Sequence, residues 1–127
     1  MIQRFLWICL AGAVGTALRY LIGVGAARVL GTSFPFGTLI VNVVGCFLIS
    51  SVMHVSLATE LVTPTLRLAL TTGFLGGFTT YSSFNYETTR LFEERAWGAG
   101  LLNVSLTVLG CFAAGLLGLA AAKRLFG

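Results

Sequence analysis

The chain has 127 residues, of which 57% are hydrophobic and only 9% charged, with mean hydropathy +0.95 and formal net charge +4. A soluble domain needs about a quarter of its residues charged to solvate its surface, so lipid must be the solvent for much of this chain. The eight basic residues stand singly or in pairs, which excludes the basic patch of a nucleic-acid binder and leaves most of them as anchors at span ends.

Four segments are long enough to cross about 30 Å of hydrocarbon, which takes roughly 20 helical residues. The expected architecture is an all-α membrane protein with one four-helix transmembrane domain over residues 1–127 and spans at about 5–28, 37–58, 66–90 and 98–122. The first span follows Arg4 and runs too far to be a signal peptide. It carries Arg19 about two-thirds of the way along, where snorkelling is feasible and where an arginine without a carboxylate would favour a nearby anion. GTSFPFG (residues 31–37) turns the chain into the second span, whose conspicuous polar groups are Asn42 and His54. His54 is the only histidine and has neither a catalytic pair nor a second histidine for a metal, so it reads as a packing or interfacial residue.

TELVTPT (residues 59–65) leads into the third span, with Pro64 as an early helical residue. This span reads TTGFLGGFTTYSSFNYE over residues 71–87, with three glycines and a run of hydroxyl residues where the bilayer centre falls. Small residues let membrane helices pack closely, whereas Gly, Ser and Thr also weaken a helix, so packing and a helix break are both open here. Unwound backbone at that depth requires burial in protein or a watery cavity. RLFEERAWG (residues 90–98) joins the last two spans as an interfacial anchor. The fourth span has no charge before Lys123 and Arg124, and Asn103, Thr107 and Cys111 recur every four residues on one of its faces.

The cysteines Cys9, Cys46 and Cys111 all lie within apolar stretches, an odd number without a CxxC spacing, which argues against a disulfide framework and against zinc. The carboxylates Glu60, Glu87, Glu93 and Glu94 are expected at the periphery. A proton-coupled exporter of cationic or guanidinium-like compounds, the competing function, needs an acid inside its first span, and there is none. No nucleophile, base and orienting group fall together, so an enzyme is not expected. Arg4, Arg67, Lys123 and Arg124 fall on one side of the membrane, and Arg28, Arg90 and Arg95 on the other. That near balance suits equally a small protein with few anchors and a chain that inserts both ways round.

Three stretches, GAVGTALRY (12–20), FPFGTLIVNVVGCFLIS (34–50) and above all TGFLGGFTTYSSFNYET (72–88), make the chain resemble the Fluc (CrcB-type) family of fluoride channels across essentially its whole length. The resemblance implies a multi-pass protein of the bacterial inner membrane that conducts fluoride passively and so lowers its cytoplasmic level. It also implies an antiparallel, dual-topology homodimer with two pores and a third helix broken near mid-membrane. A structural, non-transported sodium ion would sit at the dimer centre, held by the backbone carbonyls of Gly76 and Thr79, which bracket a break at Gly77 and Phe78. Carried over by motif, Tyr81 and Phe84 would be the pore aromatics, Asn42 the amide facing them, and Ser82 and Ser83 the hydroxyl pair. Arg19 would stand near the aqueous vestibule, with Asn103 and Thr107 on the polar track of the fourth helix. Two residues depart from the family pattern: Tyr81 where some relatives have phenylalanine, and Cys111 where a serine is expected.

Overall fold

The computed structural model describes residues 1–127, and every regular element is helical. The first helix, α1 (Ile2–Leu30), ends at Gly31, whose φ of 85° favours glycine and whose N–H closes the last turn onto the Ala27 carbonyl. α2 (Phe36–Ala58) follows after a short turn. The third span starts with α3 (Pro64–Leu68), where Pro64 opens the helix and the Thr63 hydroxyl accepts the Leu66 N–H at 3.2 Å. The chain then widens into a π-helix over Ala69–Leu75 and closes with one turn, α4 (Gly76–Phe78). After two extended residues it resumes as α5 (Tyr81–Glu93), and α6 (Trp97–Phe126) completes the chain.

Three helices, α1, α2 and α6, are each long and apolar enough to cross a membrane. The third span fails that measure because it is broken, as the glycine and hydroxyl run allowed. The break lies at Thr79–Thr80, however, and not at Gly77 and Phe78, which remain helical. The reason is on the opposite face. Gly73 and Gly77 carry α1 against the third span, and a Cβ on Gly77 would overlap the Gly12 carbonyl oxygen. On the α1 side, a Cβ on Gly15 would likewise run into the Phe74 carbonyl. These glycines are packing residues that let backbone meet backbone, so the two possibilities left open by the sequence are both realised, a few residues apart.

The enclosed core is small. Val41, Leu75 and Phe78 form its centre, with Ile22, Leu48 and Phe74 against it. Only 17 of 127 residues are buried, and rows of Leu, Val and Phe on α1 and α6 face outward. A water-soluble chain of this size could not leave so much apolar surface exposed, so those rows must meet lipid or other protein. α2 packs most extensively against α6, and α1 against the π-helix. That arrangement leaves one face of the break open between α2, α5 and α6.

Candidate functional site

The break is held open by hydrogen bonds from a different span. In a continuous helix the Thr80 N–H would reach the Gly76 carbonyl; here it donates to Asn42 Oδ1 at 2.8 Å. Asn42 Nδ2 donates in return to the Thr80 carbonyl at 3.0 Å. One buried side chain thus satisfies both backbone groups of the residue where the helix stops. The Thr80 hydroxyl then caps α5 by accepting the Ser83 N–H at 3.2 Å, which diverts that N–H from the Thr79 carbonyl. The Thr79 hydroxyl and N–H both donate to the Leu75 carbonyl, at 2.8 and 3.0 Å, so its side chain points back into the helix it ends. The Gly76 and Thr79 carbonyls therefore both lose their regular helical donors.

Arg19 meets the same region from α1. Its Nε donates to the Gly77 carbonyl at 2.9 Å, taking the place of the Tyr81 N–H. Whatever water it meets, Arg19 is thus also a structural residue that satisfies a carbonyl next to the break. It does not line the cavity described next.

That cavity, of about 750 Å³, lies on the open face of the break. Of the residues singled out in the sequence, it gathers Asn42, Gly76, Thr79, Tyr81, Phe84 and Thr107, together with Cys111. The Tyr81 and Phe84 rings sit edge to face, with centroids 5.6 Å apart and planes at 66°. Tyr81 is 78% exposed while Phe84 is buried beneath it, so the pair presents one loose ring and one fixed ring. α5 begins beside them, and the N–H groups of its first turn have no intrahelical acceptor, which puts partial positive charge at the break. No carboxylate, histidine, lysine or arginine lines the cavity.

Besides Arg19, three residues of the expected path stand outside the cavity lining. Ser82 and Ser83 lie outside the cavity lining, where both side chains interact with the Thr80 hydroxyl, at 3.3 and 3.2 Å. Asn103 is buried behind the wall, its Nδ2 donating to Thr88 Oγ1 at 2.8 Å. Thr88, which the sequence reading passed over, in turn donates to the Phe84 carbonyl at 2.7 Å and lines the cavity. Its spacing of four from Phe84 was the available signal, since it puts both on one face of α5. Asn103 is thus a support that fixes Thr88, and the track on α6 reaches the cavity through Thr107 and Cys111.

Glu87 lies toward the turn between α1 and α2, as a peripheral carboxylate would, but it is not free in solvent. It is half-buried, accepts the Thr38 hydroxyl at 2.8 Å through Oε1, and keeps Oε2 out of solvent without a hydrogen-bond partner. It lines a separate recess among α1, α2 and α5. Glu94 stands at the periphery in an exposed pair with Arg90 at 2.6 Å.

The family described as "CrcB-like protein, Camphor Resistance (CrcB)" matches residues 6–119. The chain is 50% identical over 123 residues to the fluoride-specific ion channel FluC of Sorangium cellulosum (strain So ce56), which covers 97% of both chains. It is 52% identical over 111 residues to the protein of the same name in Anaeromyxobacter dehalogenans (strain 2CP-1 / ATCC BAA-258), covering 87% of this chain and 88% of that one. With the Geobacter sulfurreducens protein of that name it shares 47% identity over 118 residues, 93% of this chain and 95% of the other.

Proposed function

This chain belongs to the CrcB-like family, and on that premise we propose that it is a multi-pass membrane channel that passes fluoride down its electrochemical gradient. The observation that carries the conclusion is the cavity wall: neutral donors and ring edges converge there without a single fixed charge. Fluoride is small and strongly hydrated, so a path must replace its water with good donors. The Tyr81 hydroxyl, the second N–H of the Asn42 amide, the N-terminal turn of α5 and the positive ring edges of Tyr81 and Phe84 supply them. No cationic side chain lines the wall to trap the ion, and conduction needs binding weak enough for release. The same wall disfavours a proton-coupled cation exporter, which needs an acid in its path.

The working unit in this proposal is an antiparallel pair of chains, each completing the other's open face. The near balance of positive charge between the two sides and the outward apolar rows support it. The released carbonyls support a sodium ion at the centre of the pair. Gly76 and Thr79 would hold it, two carbonyls from each chain, and it would supply the charge that unpaired carbonyls in a dry interior require. Sodium would be a fixed part of the assembly and not a companion of fluoride.

Efflux tests the function. Purified protein in fluoride-loaded liposomes, with a potassium ionophore clamping voltage, should release fluoride and retain chloride. Equal chloride release, or a strict need for a proton gradient, would contradict a selective passive channel.

A further inference from the structure

Two of the three cysteines, Cys46 on α2 and Cys111 on α6, lie on either side of the α2–α6 seam, and the register of that seam is well defined. Val43 lies opposite Gly110, at 3.7 Å from where a Cβ on that glycine would stand. One turn on, the Cys46 carbonyl and the Ser50 hydroxyl lie opposite Gly115, at 3.7 and 3.3 Å from its Cβ position. A turn further, the Ser51 hydroxyl donates to the Gly118 carbonyl at 3.0 Å. Cys111 falls between the first two of these levels, within about a turn of the level of Cys46. Both are free, and both line the cavity. Cys9, on α1, is exposed and lies apart from it.

We propose that Cys46 and Cys111 form a two-thiol site in the cavity wall for a soft divalent cation that accepts two-coordination, such as the mercuric ion. Thiolates select soft cations. Zinc, which takes four ligands in structural sites, finds no third or fourth donor, since no carboxylate or histidine lines the cavity and no cluster of three ligating side chains exists. Charge decides between soft cations. A divalent ion on two thiolates gives a neutral complex, whereas a monovalent ion would leave a net negative charge in a poorly solvated wall, which is costly. The step balances without redox change: each S–H bond breaks as an S–metal bond forms, and each proton leaves to buffer. Cys111 stands one helical turn from Thr107, so an occupied site would sit in the cavity and obstruct ion passage. The effect on flux rests on the proposed fluoride function; the binding does not.

The test uses the full chain carrying Cys9→Ala, so that only this pair is titrated. Mercuric chloride added to the purified protein should bind at one ion per chain with two protons released, read by the thiolate-to-metal ultraviolet band and by a pH indicator. Cys46→Ser or Cys111→Ser should reduce this to weaker binding with one proton released, and either variant alone decides the matter. Binding with one proton per ion in the Cys9→Ala protein, or undiminished two-proton binding in a serine variant, would overturn the site. In liposomes, mercuric ion should block fluoride efflux from the Cys9→Ala protein. Two-proton binding with undiminished fluoride efflux would uphold the site and overturn the placement of the conducting path in this cavity.

Discussion

The two faces of the third span are built from adjacent residues and serve opposite ends. Toward α1 it is dry and close, with glycines at 73 and 77 set against the backbone near Ile8 and Gly12. Toward α2 and α6 it is open, with two extended residues, diverted hydrogen bonds and a cavity. A single helix can do this because Asn42 replaces, through its side chain, the backbone bonds that the break removes. The dry face holds the span in place so that the other face can depart from regular structure without collapsing. Irregular backbone concentrates on one side and close backbone packing on the other.

The largest effect is expected where a side chain invades the dry face. Gly77→Val places bulk against the Gly12 carbonyl and the Thr16 amide nitrogen, backbone atoms that cannot move without displacing α1. Overpacking of this kind costs about 1–3 kcal/mol or more, so the folded yield in detergent should fall sharply. Normal yield and an unchanged unfolding curve would break the division between the faces. Asn42→Ala acts on the open face, where it leaves the Thr80 N–H and carbonyl without partners. At about 1–3 kcal/mol for each buried unsatisfied group, stability should fall, and fluoride efflux per folded protein with it. Efflux at the parental rate would mean that Asn42 does not maintain the path.

Removal of sodium should have a smaller effect than either. If the Gly76 and Thr79 carbonyls hold the ion, exhaustive exchange into sodium-free buffer should lower fluoride efflux, and restored sodium should recover it. Tracer sodium should not cross with fluoride at any stage. Unimpaired efflux without sodium would remove the ion from the account, and a sodium flux matching that of fluoride would remove its structural role.

What could be read from the sequence follows the range of the forces involved. The spans at α1, α2 and α6 are statements about composition, and composition is local. Pro64 and Thr63 likewise act within one turn. The weakness of the third span was visible in its glycines and hydroxyls, yet its position was misjudged. The glycines at 73 and 77 answer to α1, and the break answers to Asn42, 38 residues before Thr80. No local propensity encodes a bond across that distance. The same holds for Arg19 with Gly77, Thr38 with Glu87 and Asn103 with Thr88, where the residue was conspicuous and its partner was not. The edge-to-face pair of Tyr81 and Phe84 was legible because three residues on a helix bring two rings to one face.

The central claim is that the open face conducts, and Tyr81, which lines that face without holding the break together, tests it most directly. Its ring is 78% exposed, so Tyr81→Ile removes a ring edge from the cavity while disturbing little of the fold. The measurement is fluoride efflux from liposomes per folded protein, taken alongside the unfolding curve of the same preparation. The account predicts a clear loss of efflux with the unfolding curve unmoved. Parental efflux from a normally folded Tyr81→Ile protein would contradict it.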